Sequence, residues 1–487
     1  MRRTSCSRAS TLVVAVVAAL TLVGLPAQTT PATARAAAVV QAGSLQWQLL
    51  GGPLRSGEAH VASTDTIRFK ATFTPVRQGR RVQLQHQVDG VWKKLAESTQ
   101  NAAGTAWFNR RFAVGERNVR AITLADGTLP GRTTPPMTVA TYQRGVVSLV
   151  PDGLPPGGGR QAGPFLPESR WAVREITVPG PHSGTSLERI EVRDHDVETT
   201  VQVPLPAGKN LTTSGSVADD GEVVYVAAAC TWEWVWYDDR GGEGGYERRC
   251  AGYGIWSWDR ASAPVLLRAG FTALVSPDGS SLVYAATGPT PQAPLARSPL
   301  RRWDRAAGTS VQITPTGYVW GDYRASDDQE QVVVEPLLDG PEPSYLWRRG
   351  VGRTDLGPVR LVAISSDGST VAAVGGIPDR PLLVRDVATG TVRSWPGAAL
   401  VRPVLDAVGG QVAWTSDTPA GQTVLTALDT GRTQPVSCTS AGVCGDEDSR
   451  AAGISADGDR VYFVSRSTNL DPADTERDDD LFRWTRP

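Results

Sequence analysis

The segment VSPDGSSLVYAA (275–286) has three close relatives in the same chain: VADDGEVVYVAA (217–228), ISSDGSTVAAVG (364–375) and ISADGDRVYFVS (454–465). Each copy contains an apolar residue, a small polar cluster, Asp-Gly and a run rich in apolar residues. Asp-Gly favours a tight turn because glycine tolerates a positive φ and the Asp side chain accepts hydrogen bonds from nearby backbone amides. Each copy therefore predicts strand, turn and strand, and the recurrence predicts a repeat architecture.

Further copies extend the repeat along the chain. Those that start at residues 217, 275, 325, 364, 406 and 454 lie 39 to 58 residues apart, and a weaker copy starts at 165. A second pattern follows, in which a bulky residue precedes a charged turn, as in GIWSWDRASA (254–263) and LRRWDRAAG (300–308). We interpret it as a third strand and its turn into a fourth. Four strands in about 40–50 residues make one blade of a β-propeller.

Together the two patterns resemble TolB-like and WD-repeat β-propellers. The final unit, ISADGDRVYFVSRSTNLDPADTERDDDLFRWTR (454–486), resembles a blade found in exported bacterial TolB-like proteins. The resemblance implies that residues 141–487 form a propeller, for which seven blades are favoured and six are possible. It implies little about function, because this fold supports many functions.

The last unit is too short to contain four strands. It starts at residue 454, and the sequence ends at Pro487. A ring of blades closes when another part of the chain supplies the missing strand of its last sheet, which leaves no exposed strand edge. We therefore predict that residues 145–150 supply the missing strand and lie beside Phe482.

Residues 44–140 predict a separate β domain. Short segments alternate between apolar and polar residues, and Asp89-Gly90 marks a turn between two of them. Several such strands within about 100 residues are typical of a sandwich. The stretch from Gly79 to Phe112 resembles the Ig-like modules of exported bacterial proteins, without the Cys, Trp and Cys framework of antibody domains. The predicted fold class is all-β, with an Ig-like β-sandwich before the propeller and a linker at residues 127–136.

The first 36 residues predict a signal peptide. Arg2 and Arg3 precede an apolar stretch at 11–25, and Ala34-Arg35-Ala36 fits a cleavage site. A retained membrane anchor is the alternative. The net charge of −1 gives no general attraction to nucleic acid. We expect a secreted or extracytoplasmic protein with no stable membrane insertion after the signal is removed.

Four cysteines remain beyond the predicted signal peptide. In an oxidising compartment the local pairs Cys230–Cys250 and Cys438–Cys444 are the natural expectation, although four cysteines allow three pairings. Their spacing does not fit a zinc site, and no histidine lies near either pair. The sequence therefore predicts disulfides, and neither a metal nor a cofactor.

The segment 230–258 departs most from the repeat. Alternation places Trp232, Trp234 and Trp236 on one face of a strand. Aromatic faces beside carboxylates suit sugar rings, cations and protein hot spots. The candidate ligand-binding residues of this segment are Trp232, Trp234, Trp236, Tyr237, Asp238, Asp239 and Trp256.

The alternative is that these tryptophans fill the gap between blades. Trp258 aligns with Trp303, Trp347 and Trp484, so that position predicts ordinary blade packing. We favour packing for the segment as a whole, with ligand contact as the competing hypothesis.

Two other groups of polar residues could form a catalytic or metal-binding site. His182 and His195, with Asp194 and Asp196, could serve a lyase or hold a metal, but a solvated loop is the favoured interpretation. An acidic run could bind Ca²⁺, although turn chemistry explains it equally well. The run comprises Asp471, Asp474, Asp478, Asp479 and Asp480.

The sequence thus favours an exported, non-catalytic propeller that binds protein or glycan at the cell envelope. The absence of a G-x-S-x-G motif and the presence of only four histidines argue against a hydrolase. The alternative is an extracytoplasmic propeller enzyme, a lyase or glycosidase, that acts on polysaccharide. His, Arg and carboxylate groups that converge in the central channel would favour this alternative.

Overall fold

All regular secondary structure in the described part of the chain is β-strand, as predicted, and it forms nine sheets. The structure is a computed structural model, which describes residues 43–49, 54–149, 171–179, 181–182, 186–194, 197, 199–237, 243–286, 298–315, 318, 320–337, 342–376, 379–418, 421–472, 474, 477 and 479–487.

The first unit is a β-sandwich whose two sheets share one apolar core. Its strands are β1 (Gly43–Leu49), β2 (Ala59–Ala62), β3 (Ile67–Phe73), β4 (Arg81–Val88), β5 (Val91–Thr99), β6 (Thr105–Arg110), β7 (Gly115–Thr123), β8 (Arg132–Thr133) and β9 (Met137–Tyr142). One sheet has the order β1-β3-β6, and the other has the order β2-β9-β7-β4-β5 with β8 paired to β7. Side chains alternate along β3, so Ile67, Phe69, Ala71 and Phe73 are buried while the residues between them are partly exposed.

The segment 127–136, predicted to be a linker, belongs to this sandwich. β8 pairs with β7, and β9 then lies between β7 and β2. Asp126 and Leu129 exchange backbone hydrogen bonds across a turn. The Gly, Pro and Thr residues of the segment therefore mark sharp changes of chain direction within the sandwich rather than a boundary.

The remaining strands form seven small sheets. They are β10 (Val146–Leu149), β11 (Trp171–Pro179), β12 (Ser186–Asp194), β13 (Thr199–Gln202), β14 (Leu211–Val217), β15 (Val223–Tyr237), β16 (Glu243–Trp258), β17 (Val265–Ala269), β18 (Thr272–Val275), β19 (Ser281–Ala285), β20 (Leu300–Asp304), β21 (Ser310–Gln312), β22 (Trp320–Ala325), β23 (Gln331–Pro336), β24 (Ser344–Arg348), β25 (Gly352–Gly357), β26 (Arg360–Ile364), β27 (Thr370–Val374), β28 (Leu382–Asp386), β29 (Val392–Trp395), β30 (Val404–Leu405), β31 (Gln411–Thr415), β32 (Thr423–Ala427), β33 (Thr433–Pro435), β34 (Ser449–Ile454), β35 (Arg460–Ser465) and β36 (Asp480–Thr485).

These seven sheets follow one another along the chain, and their strands are antiparallel. Their orders are β11-β12-β13, β14-β15-β16-β17, β18-β19-β20-β21, β22-β23-β24-β25, β26-β27-β28-β29, β30-β31-β32-β33 and β10-β36-β35-β34. First strands of successive sheets contact one another, as β14 does with β18 and β26 with β30. A succession of small meander sheets that pack through their first strands is a β-propeller.

The repeated Asp-Gly turns connect the first and second strands of these sheets. Ser276 donates its hydroxyl to Oδ1 of Asp278 at 2.6 Å and accepts the Ser281 amide at 3.0 Å. The Ser280 amide donates to the same carboxylate oxygen at 3.0 Å. Equivalent bonds form in the turns that begin at Ser326, Ser365 and Ser455. The repeat therefore specifies a side-chain hydrogen-bond pattern in addition to its glycine.

Neighbouring turns are joined by backbone hydrogen bonds. The Asp219 amide donates to the carbonyl of Pro277 at 2.7 Å, and the Asp327 amide donates to that of Ser366 at 2.8 Å. Each bond connects the turn of one sheet to the turn of the next sheet along the chain. These backbone bonds therefore help to hold neighbouring sheets together at the turn end of the propeller.

The predicted closure is confirmed. β10 pairs antiparallel with β36, and Leu149 lies opposite Phe482. The Leu149 amide also donates to Oδ2 of Asp471 at 3.0 Å. The last sheet thus obtains its fourth strand from the segment that directly follows the sandwich.

The three-stranded sheet matches the second, third and fourth strands of the others. Trp171, the first residue of β11, pairs with Asp194, the last residue of β12, just before the chain turns into β13. In the same way Ser281, the first residue of β19, pairs with Asp304, the last residue of β20, just before the chain turns into β21. β11 is therefore equivalent to β19, and β12 to β20. The weak copy that starts at 165 has its second half in β11, and its first half lies outside the described residues.

Substitution of Gly145 tests the closure. A Cβ at this position would overlap the Trp484 indole and the Thr485 carbonyl. We expect Gly145→Ala to lower the free energy of unfolding by about 1–3 kcal/mol, the usual cost of overpacking. The control is Gly376→Ala, where the nearest atom to the added Cβ is the Pro358 carbonyl oxygen at 3.8 Å. Equal urea midpoints for the two variants would contradict the tight closure.

The turns also predict how stability responds to acid. Hydrogen bonds from Ser276 and the Ser280 amide lower the pKa of Asp278, and those from Ser455 and the Asp459 amide lower that of Asp457. A carboxyl with a lowered folded-state pKa stabilises the fold above its unfolded pKa, and this stabilisation disappears as the pH falls through the folded-state value.

We therefore expect wild-type stability to fall below about pH 4, near the ordinary Asp pKa. The double variant Asp278→Asn with Asp457→Asn should show a flatter acid limb in urea unfolding followed across pH. The exposed Asp379 provides a matched Asp→Asn control that retains the wild-type slope. A double variant with an unchanged slope would show that these turns do not supply the acid sensitivity.

Candidate functional site

Two strands of the second propeller sheet extend well beyond it. β14 follows β15 only as far as Ala228, and β17 follows β16 only to Gly254. Beyond these points β15 and β16 continue to pair with each other, up to Tyr237 opposite Glu243. We call residues 229–237 and 243–253 the tryptophan hairpin. Gly244 and Gly245 pair within this hairpin, opposite Trp236 and Val235.

A disulfide closes the base of the hairpin. Cys230 and Cys250 are direct cross-strand partners and are bonded, as the local spacing predicted. The predicted second bridge, Cys438–Cys444, is also present. Because an isolated two-stranded ribbon is at best marginally stable in water, the bridge at residues 230 and 250 anchors the hairpin to the propeller.

Aromatic residues pair across the hairpin on the same face as the disulfide. Trp234 lies opposite Tyr246, and their rings meet edge to face with centroids 5.0 Å apart. Trp232 lies opposite Arg248, one pair nearer to the propeller. Aromatic cross-strand pairs stabilise a two-stranded ribbon by roughly 0.2–1 kcal/mol each. The alternation predicted from sequence is therefore present for these two tryptophans.

The hairpin between β11 and β12 lies against this aromatic face. His182 stacks on Tyr246 with ring centroids 4.0 Å apart and an angle of 6° between the planes. Arg248 forms a two-pronged ion pair with Glu188, in which Nη2 and Oε1 are 3.1 Å apart. The first two sheets of the propeller thus extend together on one side.

This arrangement separates the residues of the second candidate site. His182 lies in the turn between β11 and β12, whereas Asp194 is the last residue of β12 and is buried. Nine residues of extended strand span about 26 Å between their ends. His195 and Asp196 lie outside the described residues. A site that combines His182 with Asp194 is therefore not formed, and His182 is a stacking residue.

Burial divides the tryptophans into two groups. Trp232 packs beside Cys230, Val178 and Leu211, and its indole nitrogen is buried without a hydrogen-bond acceptor in the described structure. Trp234 is 50% exposed and Tyr246 is 39% exposed. The two tryptophans of this strand therefore differ: Trp232 is packed, and the side chain of Trp234 is half exposed.

The other predicted site residues either lie away from this aromatic face or have side chains outside the described structure. Trp256 lies below the disulfide, within the sheet, where it packs against the core between the first two propeller sheets. Trp236 and Tyr237 continue β15, opposite Gly244 and Glu243. Asp238 and Asp239 lie outside the described residues.

The predicted packing role of the repeated tryptophans is confirmed. Each lies on the third strand of its sheet, opposite the first apolar residue of the second strand. Three are almost completely buried, and the fourth packs against a buried cluster. They are Trp258, Trp347, Trp484 and, with partial exposure, Trp303.

Sequence reasoning missed a charged cluster in which Asp322 and Arg324 lie on β22, Glu335 on β23 and Arg402 just before β30. Arg402 contacts Asp322 at 2.6 Å and Glu335 at 2.9 Å, and Arg324 contacts Asp322 at 2.8 Å. Burial, reinforced by Arg324, lowers the pKa of Arg402. Glu335 also accepts the amides of two residues of the neighbouring sheet. The only sequence signal was the GDYRA segment (321–325), which places charges where other copies have mostly apolar residues.

The charged side chains of this cluster form ion pairs with one another, so none of them is left as an unpaired reactive group. Each charge of the cluster has an oppositely charged partner within it, which is the pattern of a structural ion-pair network. No histidine of the described residues joins the cluster. Arginine and carboxylates converge, but the histidine that would complete the pattern expected for an enzyme is not among them.

The acidic run near the C-terminus makes protein contacts where it is described. Asp471 accepts the Leu149 amide, and Asp479 pairs with Arg450 at 3.0 Å and with Arg466 at 2.9 Å. Asp478 lies outside the described residues. Within the ranges given above, no group of three or more His, Cys, Asp or Glu side chains is arranged to hold a metal.

Comparison with known proteins gives distant likenesses only. No protein-family model matches the chain, and no curated protein does. The chain is similar to TolB from Acinetobacter baumannii, with 16% identity, coverage of 67% of this chain and 78% of that one, and a TM-score of 0.33. It is similar to Kuenenia stuttgartiensis hydrazine synthase, with 14% identity, coverage of 64% and 96%, and a TM-score of 0.35.

A chain of the mitotic checkpoint complex is similar at 12% identity, with coverage of 69% of this chain and 98% of that one and a TM-score of 0.40. Superpositions of this quality carry no argument about function. The assignment to the β-propeller class therefore rests on the strand order and pairing described above. Among the described residues, no helix has the length and apolar character to cross a membrane.

Removal of the hairpin disulfide tests whether it anchors the hairpin. We expect Cys230→Ser with Cys250→Ser to open residues 229–253 to protease cleavage and to shift tryptophan emission to the red, because a bridge of this kind contributes about 2–4 kcal/mol. The control is Cys438→Ser with Cys444→Ser, which should leave this segment protected. Equal protection of the segment in both double variants would contradict the anchoring role.

Proposed function

We propose that this chain is an exported, non-catalytic binding protein that contacts a protein or glycan at the cell envelope through the tryptophan hairpin. The observation that supports the proposal most directly is the exposed Trp234–Tyr246 pair, held in place from below by the disulfide and from the side by His182. An exposed aromatic pair on a rigid support loses little conformational freedom when it binds, which favours affinity.

We further propose the domain organisation that accompanies this role. Residues 1–36 act as a signal peptide, residues 44–140 form an Ig-like module, and residues 141–487 form a seven-bladed TolB-like propeller. The parallel pairing of β2 with β9 and the two-sheet core support the Ig-like assignment. The equivalence of β11–β13 to three strands of the other sheets supports the seventh blade. The two disulfides agree with export to an oxidising compartment.

The exposed chemistry of the hairpin fits either ligand class. The exposed part of Trp234 can stack on the C–H face of a sugar ring or fill a pocket on a protein. On the opposite face of the hairpin Glu233 pairs with Arg249 at 2.9 Å, and both side chains are more than half exposed. The hairpin therefore presents an aromatic face on one side and exposed hydrogen-bonding groups on the other. In this arrangement the sandwich serves as a spacer or adhesion module.

A propeller enzyme that acts on polysaccharide is the second candidate. The cluster of Asp322, Arg324, Glu335 and Arg402 is the observation that favours it, because such groups bind acidic sugars and stabilise developing charge. Because these charges pair with one another, we rank this candidate below the binding function. Release of reducing ends from a polysaccharide panel would favour the enzyme.

A binding experiment tests the proposed function. The purified protein is applied to a glycan array and used to capture ligands from bacterial cell-wall and envelope-protein fractions. For the ligand obtained, we expect Trp234→Ala and Tyr246→Ala to lower affinity at least tenfold, as is typical of aromatic hot spots, with little change in thermal stability.

Trp92→Ala serves as the control variant. Trp92 is a partly exposed tryptophan of the sandwich that stacks with Arg120 at 4.1 Å, so its removal changes an aromatic surface away from the hairpin. Its binding should match that of the wild type. Capture of no ligand, or equal capture by all three variants, would rule out the hairpin as the binding surface.

A further inference from the structure

A cavity of about 300 Å³ lies between the sandwich and the propeller. β2 and β9 of the sandwich form one wall, and β31, β32 and β33 with the C-terminal Arg486 form the other. Cavities between structural units are common sites for small ligands, and this volume is at the small end of the usual range. The cavity is therefore suited to one small molecule of the size of a monosaccharide.

The residues that line the cavity are mixed in character. Ala140, Thr141 and Leu425 are buried lining residues. Tyr142 also lines the cavity, and its phenol hydroxyl, whose pKa burial raises to about 12, is a hydrogen-bond donor and acceptor. Gln411 and Gln434 add amide groups on the propeller side.

The charges that line the cavity are mainly positive. Arg432 and Arg486 contribute guanidinium groups, whereas Asp429 is the one carboxylate among the lining residues. An acceptor-rich, anionic ligand complements such a surface, because a guanidinium binds a carboxylate through two parallel hydrogen bonds.

The carboxylate partners of the two arginines are exposed. Arg432 pairs across the cleft with Glu116 and, at 4.0 Å, with Glu58. Arg486 pairs with Asp459 at 3.4 Å, and its Nη2 also donates to the Gly458 carbonyl at 3.1 Å and to Oε1 of Gln411. The three carboxylates are 46% to 56% exposed, and ion pairs of such exposed groups contribute little to stability. A ligand carboxylate can therefore replace them at small cost.

We propose that this cavity binds a small sugar acid, with Arg432 and Arg486 on its carboxylate and Gln411, Gln434 and Tyr142 on its hydroxyl groups. Because both walls contribute, the bound ligand also holds the sandwich against the propeller. The site is distinct from the tryptophan hairpin and does not depend on the function proposed for it.

The test is calorimetric titration of the purified protein with glucuronate and, as a neutral match, glucose at low salt. We expect glucuronate to bind at least tenfold more tightly than glucose. Arg486→Gln should lower the affinity for glucuronate at least tenfold. It leaves the contacts of Arg432 with the sandwich intact, so a loss of binding cannot be attributed to separation of the two units. Arg432→Gln should have a similar effect on affinity.

Two controls make the outcome specific. Arg349→Gln removes another exposed arginine, paired with Glu330 at 2.8 Å elsewhere on the propeller, and should bind glucuronate as the wild type does. Trp234→Ala should also bind it normally, which separates this site from the hairpin. Absence of glucuronate binding, equal binding of glucose, or an unchanged affinity in Arg486→Gln would each overturn the proposal.

Discussion

The hydrogen-bonded pairing of β10 with β36 is the constraint on which the rest of the propeller depends. Each small sheet has polar backbone edges, and a ring is stable only when its last sheet is completed. Completion here requires residues from the two ends of the propeller sequence to meet, so the ring cannot close until the sheets between them are stacked. The close approach of Gly145 to Trp484 shows how little space this closure leaves. Such non-local pairing is also a feature of folds that form slowly.

Within the closed ring, function-bearing features occur where a unit departs from the repeat. The turns built on Ser276, Ser326, Ser365 and Ser455 use the same hydrogen bonds and form the scaffold. The tryptophan hairpin adds length to one pair of strands without disturbing the sheet beneath it, because the disulfide lies where the added length begins. The charged cluster around Arg402 is a second departure, and its charges join neighbouring sheets.

The sequence predicted the features that local chemistry determines. Asp-Gly turns, alternation in β3, both disulfides, the packing of Trp258 and its equivalents, and the closing strand beside Phe482 all follow from short patterns or from the need to complete a sheet. It did not predict contacts between residues far apart in the chain. The stacking of His182 on Tyr246 and the pairing of Arg402 with Asp322 depend on how neighbouring sheets lie against each other. The misplaced linker at 127–136 has a related cause, since turn-forming residues look alike inside a domain and between domains.

The position of the closing strand gives the molecule a mechanical property. β9 ends at Tyr142 and β10 begins at Val146, so three residues separate the last strand of the sandwich from the strand that closes the propeller. Arg144, one of the three, pairs with Asp65 of the sandwich at 2.7 Å. A pull on the sandwich is therefore transmitted directly to the backbone hydrogen bonds between β10 and β36. The segment that joins the sandwich to the propeller therefore also closes the propeller. Tension on this segment would first break the pairing of β10 with β36.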